Sequence, residues 1–227
     1  MVVATALAAA ALEGQVGHDP SSSPYAEARA GQMIAVSGGY LAGSRGRAGV
    51  GPAGGFTVGS RFEIAFADPG IAFLGASGAI LDRVVIDPTF GPASRVQDTV
   101  TQSVLMLEGG LLLVLTGRKT WRGLAPYVGA SVGLALGGRV PRDSSGFVFS
   151  TKFQVGPHLG VRWHVSDRVN WRIEARNVLW RLTYPVSFRA TPENEPTEPA
   201  VLEGTTSLTE WTHHPSLVFA VAYVIQP

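Results

Sequence analysis

Near the end of the chain, Glu210, His213, His214 and Ser216 combine the side chains that nucleophilic hydrolysis uses. A hydroxyl attacks, an imidazole takes its proton and a carboxylate orients the imidazole. Pro215 stands between the histidine pair and Ser216, which argues against such a unit, and the four residues fall where a long loop joins the last strand. Two adjacent imidazoles are also candidate metal ligands, but no Cys or carboxylate stands at ligand spacing from them. The sequence holds no HExxH, no G-x-S-x-G, no Gly-rich phosphate loop with Lys and no dinucleotide fingerprint after a strand. The pair therefore reads as two titrating loop histidines, and no catalytic residue, metal or cofactor is expected.

A second set of polar residues is larger. Arg61, Glu63, Glu108, Lys152, Gln154, His158, Arg162, Asn170, Arg172, Glu174 and Arg176 recur at alternate positions of otherwise apolar segments. In a β-strand alternate side chains point to opposite faces, so these residues share one face and the apolar ones the other. The clearest case runs Phe147, Phe149, Thr151, Phe153, Val155, Pro157, Leu159, Val161, Trp163 against Lys152, Gln154, Gly156, His158, Gly160, Arg162. Val169, Trp171, Ile173 and Ala175 likewise oppose Asn170, Arg172, Glu174 and Arg176, after which the parity blurs, as a bulge near Asn177 would make it.

These segments belong to a regular series. Eight period-two strands are expected at about 31–42, 53–67, 71–86, 98–116, 124–138, 147–165, 169–184 and 216–226. Each supplies the roughly 9–11 residues that cross an outer membrane as a tilted strand. Short turns (Asp68-Pro69-Gly70, 116–123, Ser166-Asp167-Arg168) alternate with longer loops at 43–52, 87–97, 139–146 and 185–215. The rhythm is that of an all-β, eight-stranded antiparallel up-and-down transmembrane β-barrel, with turns toward the periplasm and loops outside. In the tight turn, Pro69 suits the second position and Gly70 a positive φ. The last loop, with three Pro and three Glu between Thr191 and Pro199, is expected to stay mobile.

Alternation alone does not say which face is inside, and a soluble lipocalin-like barrel binding an apolar ligand has the same period. Two features favour the membrane version. The row Gly129, Ser131, Gly133, Ala135, Gly137 suits a crowded lumen better than a wet surface. Aromatics (Phe147, Phe149, Trp163, Trp171, Tyr184, Tyr223) gather near strand ends, as girdles do. Luminal charges would then pair with one another and with Gln154, His158 and Asn170, as a structural network rather than an ion path.

Composition agrees. Of 227 residues only 15% are charged, 28 are Gly and none is Cys, which excludes disulfides and thiolate chemistry. A mean hydropathy of +0.18 is too low for helical membrane spans. A net charge of +1 offers no footprint for nucleic acid. Residues 1–14 read as a signal peptide; with no basic residue before Arg29, the run looks like the tail of a longer one. A flexible segment at 15–30 and a barrel domain at 31–227 follow.

The stretches LAPYVGASVGLALGG (124–138), GPHLGVRWHVSDRVNWRIEARNVLWRLTY (156–184) and SLVFAVAY (216–223) resemble the small OmpA/OmpX-like outer-membrane barrels of Gram-negative bacteria. The chain departs from those barrels in ending Tyr223-Val-Ile-Gln-Pro227 instead of on an aromatic residue. The resemblance implies a monomer in the bacterial outer membrane, in contact with its lipid and lipopolysaccharide. It also implies periplasmic chaperones and the barrel-assembly machinery during biogenesis. A structural, adhesion or surface-interaction role without catalysis is expected. The alternative is a lipid-modifying hydrolase or acyltransferase at the barrel rim, using Ser216 with His213 or His214, because some eight-stranded outer-membrane barrels carry such groups there.

Overall fold

The computed structural model describes residues 23–28 and 31–226; the expected signal peptide lies outside them. Eight strands close a barrel: β2 (Gln32–Leu41), β3 (Gly55–Ala65), β4 (Gly70–Ile86), β5 (Val96–Val114), β7 (Leu124–Gly137), β8 (Thr151–His164), β9 (Val169–Thr183) and β10 (Thr209–Gln226). Each pairs antiparallel with its neighbours, and β10 closes the ring on β2. Closure leaves no free edge, the condition for strands to cross a hydrocarbon layer with every backbone group satisfied. Two short strands, β1 (Tyr25–Glu27) and β6 (Lys119–Trp121), pair as a ribbon at the turn end. β1 lies inside the segment expected to be flexible; its partner is the extended turn between β5 and β7, 94 residues away at the Thr120 hydroxyl bond to the Ala26 carbonyl.

The faces are inverted relative to a soluble barrel. Val36, Phe56, Val58, Leu74, Leu111, Val132, Leu159, Ile173 and Phe219 are exposed on the outside, while Glu63, Arg162, Arg172 and Glu174 are buried inside. A continuous apolar outer belt of this kind is stable only against lipid. Trp163 and Trp171, opposite one another on β8 and β9 and edge-to-face at 6.3 Å, mark its turn-end border.

Above the belt the inversion ends, at the loop end. Outer positions become polar (Asn177, Arg181, Thr183, Thr101, Ser103), and inner ones become apolar (Val178, Trp180, Leu182, Val104, Met106). There the strands project past the hydrocarbon and enclose an ordinary hydrophobic core with Leu41, Leu81, Phe147, Phe149, Phe188 and Leu202. This explains the blurred parity after Arg176. β9 pairs with β10 without a register shift, so no bulge forms at Asn177; what changes is the chemistry of the two faces.

Several sequence expectations are corrected here. β10 begins at Thr209, not near 216, so Glu210, His213, His214 and Ser216 sit in a strand. Phe147 and Phe149 are not girdle residues: Ser150, at φ 47°, breaks the alternation before β8 and turns both rings inward. Tyr184 is buried for the same core. Gly70 opens β4 without a positive φ, after a cis Asp68–Pro69 peptide. The loop 184–208 is ordered. Its 3₁₀ turn Val186–Arg189 drives Phe188 into the core, Leu202 N–H donates to the Phe188 carbonyl at 2.8 Å, and Asn194 N–H to Thr89 O at 3.0 Å.

Trp180→Ala should cost about 3–5 kcal/mol, because its ring is fully buried between Phe149 and His214. Leu134→Ala on the lipid face should cost much less. Urea unfolding of the refolded barrel, followed by tryptophan fluorescence, compares the two; equal costs would show that the loop-end core does not carry the fold.

Candidate functional site

The middle of the lumen is polar, and the chemistry of each strand puts it there. Alternation turns all eleven residues of the sequence-derived set inward. Three carboxylates organise it. Glu174 accepts two bonds from Arg61 (3.0 and 3.1 Å), one from the Tyr127 hydroxyl (2.8 Å) and one from His158 Nδ1 (3.0 Å). Glu63 accepts from Arg162 at 2.9 Å and from both terminal nitrogens of Arg172, one at 3.0 Å. Glu108 accepts from Arg176 at 2.8 Å and Ser131 at 3.0 Å. Arg61 ties the three together, lying within 3.9 Å of Glu63 and 3.6 Å of Glu108 while its guanidinium rests 4.2 Å over the Phe73 ring.

Four guanidinium groups thus share three carboxylates. Bidentate pairing suits Arg, whose planar fork matches a carboxylate and whose charge is weakly hydrated. Small residues make the room. A Cβ on Gly160 would come within 2.5 Å of Tyr127, so β8 yields the volume that the phenol needs to reach Glu174. Asn170 completes the Glu63 group, its Oδ1 accepting from Arg172 Nε at 3.4 Å. Lys152 and Gln154 face the same lumen nearer the loops but join none of these ion pairs.

Ser131 and Tyr127 were missed by the sequence reading. Ser131 stood in a row noted only for its small size, and Tyr127 in a strand read for its glycines. Ser131 Oγ, His158 Nε2, His158 Nδ1 and Glu174 fall in line, at 2.9 and 3.0 Å, in the order of a hydrolase triad. A competing acceptor opposes that reading. Ser131 has one hydroxyl proton, and the Glu108 carboxylate 3.0 Å away, an acceptor only and charged, competes for it against His158 Nε2 at 2.9 Å. The side chain is also buried among the barrel's own strands.

The rim constellation does not assemble. His213 points outward and holds the Asn177 amide at 3.0 Å, while His214 points inward, its ring tilted by 32° and centred 4.0 Å from that of Trp180, and bonded through Nε2 to Thr212 at 2.9 Å. On opposite faces they cannot share a metal. Ser216 donates to the Arg176 carbonyl at 3.4 Å. Glu210 ties the first loop to β10, accepting from Arg47 N–H at 2.6 Å and from the Tyr184 hydroxyl. Burial, with the Glu210 carboxylate beside it, raises the Tyr184 phenol above its ordinary value. A second clamp, unforeseen from sequence, pairs buried Arg83 with buried Asp143 and lays Arg83 5.0 Å over Phe147.

No protein-family model matches this sequence, and no curated protein does. Among solved structures, Neisserial surface protein A aligns over 88% of this chain and 97% of its own, with a TM-score of 0.51 at 13% identity. The fold is that of a small outer-membrane β-barrel. Two further structures align less tightly. OprG of Pseudomonas aeruginosa gives a TM-score of 0.48 at 12% identity, covering 86% of this chain and 97% of its own. The N-terminal barrel of OprF from the same organism gives 0.44 at 10% identity, covering 86% and 98%. At these identities the likeness is one of fold, and the roles of luminal residues rest on this chain's own geometry.

Glu174→Ala should destabilise the barrel by about 3–5 kcal/mol, since it strands Arg61 and His158 in a buried site. Glu174→Gln should recover part of this through its amide oxygen. Unfolding midpoints of the three refolded proteins check it; an unchanged midpoint for Glu174→Ala would remove the network from the account of stability.

Proposed function

We propose that this protein is a monomeric barrel of the bacterial outer membrane, with short turns in the periplasm, loops outside, and a structural, adhesion or surface-interaction role without catalysis. The observation that carries the reading is the closure of the lumen. The mid-barrel ion pairs leave a space of about 30 Å³ beside Arg61 and Glu174, room for about two waters and too little for an ion with its hydration shell. Above it, the core around Trp180, Phe149 and Phe188 fills the loop end. A barrel so filled is built to present its outer end rather than to pass solutes.

What it presents is a fixed surface. The first loop is held by the Arg47–Glu210 pair, the third by Arg83–Asp143 and the fourth by Phe188 and Leu202. Arg95 Nη2 donates to the Pro199 carbonyl at 2.8 Å and Glu195 accepts from Gly91 N–H at 3.2 Å, joining the second and fourth loops. Ordered loops meet a partner with less loss of conformational freedom than mobile ones. The name of Neisserial surface protein A places that neighbour at a cell surface, which agrees with this reading. Contacts with outer-membrane lipid and lipopolysaccharide, chaperones and the assembly machinery belong to the same proposal.

Four results test it. The membrane-fraction protein should migrate differently in SDS before and after boiling, and in planar bilayers it should show no discrete conductance; stepwise openings would refute the filled lumen. Replacing 191–200 with a Gly-Ser chain should reduce adherence of expressing cells while the heat shift persists, and unchanged adherence would leave only the structural role. Phe188→Ala should free the fourth loop, so that trypsin cuts intact cells at Arg189 much faster than the wild type.

A further inference from the structure

The turn end of the barrel is built unlike the loop end. Among the described residues it holds, in place of a plug, an open cavity of about 260 Å³. Its walls are apolar and buried (Met33, Ile71, Val114, Ala125), with Phe66 at the rim. Arg162, only 2% exposed, and His164 form its polar floor, and Asp68 and Arg118 also line it.

Arg162 is not fully used by the network above it. One terminal nitrogen donates to Glu63, the other reaches only the Met33 sulfur at 3.8 Å, and Nε has no hydrogen-bond partner among the described residues. Glu63 is shared, because Arg172 occupies both of its oxygens and Arg61 lies 3.9 Å away. Arg162 therefore brings to the cavity a guanidinium whose one carboxylate partner is shared with two other arginines. Apolar walls over a cationic floor suit a ligand with an anionic head and an aliphatic body. The volume lies just below the roughly 300–1,000 Å³ of common small-molecule sites, which fits one short chain and not a two-chain lipid.

We propose that this cavity binds a free single-chain anionic amphiphile, its carboxylate or phosphate against Arg162 and His164 and its first carbons against Met33, Ile71 and Val114. The site opens away from the loops, so it does not depend on what the loops contact.

The test uses the barrel in phosphatidylcholine nanodiscs, with empty nanodiscs as control. Octanoate labelled with carbon-13 at the carboxyl is titrated and its NMR shift followed, with octyl phosphate, octanol and octyltrimethylammonium as competitors. Saturable binding of octanoate, displaced by octyl phosphate and not by the alcohol or the cation, is the expected result. Displacement by one anion alone would assign the head group to carboxylate or phosphate. Arg162→Gln should weaken octanoate by at least about tenfold. Because that change touches the Glu63 pair, Ile71→Trp serves as a second variant, filling the cavity without altering a charge; it should abolish binding with the near-ultraviolet circular dichroism retained. The proposal is overturned by octanol competing as well as the anions, by binding that survives Ile71→Trp, or by no saturable binding.

Discussion

The structure depends on one pairing problem: four arginines must lie side by side within a ring of eight strands, out of bulk water. Each guanidinium repels the next in a medium of low dielectric, and only three carboxylates are at hand. The arrangement that solves it is specific. Glu174 and Glu63 each hold an arginine by both oxygens, and Arg61 reaches all three acids. Because the acids come from β3, β5 and β9 and the arginines from β3, β8 and β9, satisfying the charges also fixes which strands face each other across the lumen. A shift of one residue in any of these strands would turn its charges into lipid, where they cost several kcal/mol each. The ion pairs therefore act chiefly on register, and the outer belt supplies the reason to close at all.

The barrel was legible because both faces alternate cleanly wherever the hydrocarbon sets the contrast. The expected strands match β2, β3, β4, β5 and β7 to within a few residues, and the inward set follows from parity alone. Legibility fails where the strands leave the hydrocarbon. From Thr209 to Ser216 the outer positions include Thr209, His213 and Pro215 and the inner ones Glu210, Thr212 and His214, so polar residues stand on both sides and no alternation signals a strand. Pro215 looks like a breaker, yet Asn177 opposite it mends the ladder, its side-chain oxygen accepting from His214 N–H at 3.0 Å. The fourth loop misleads for a different reason. Its composition is that of a disordered segment, but two apolar residues, Phe188 and Leu202, are enough to anchor it in a core drawn from the whole ring of strands, from Leu41 and Leu81 to Phe149 and Trp180. The candidate site was legible as a list and not as a geometry: parity gives the side, while Tyr127 and Ser131 become partners only once β7 stands beside β8.

Taken along its axis, the lumen is three layers with different work to do. The loop-end layer is a soluble-protein core that happens to stand on a membrane barrel, and it makes the surface above it rigid. The middle layer holds register. The turn-end layer around Met33, Ile71, Phe73 and Tyr127 is apolar too, but among the described residues it stops short of filling its space. That asymmetry is difficult to assign to stability alone, since filling a cavity of this size with a larger residue at Ala125 or Ala65 would bury more apolar surface. Nor does the middle layer demand it, because Arg162 would be better satisfied with a carboxylate on its open side than with a thioether. A barrel whose task were only to stand in the membrane would gain from closing both ends as it closes one. The open, cationic, apolar-walled end is where this chain gives up stability, and such concessions are commonest where a molecule other than the protein completes the packing.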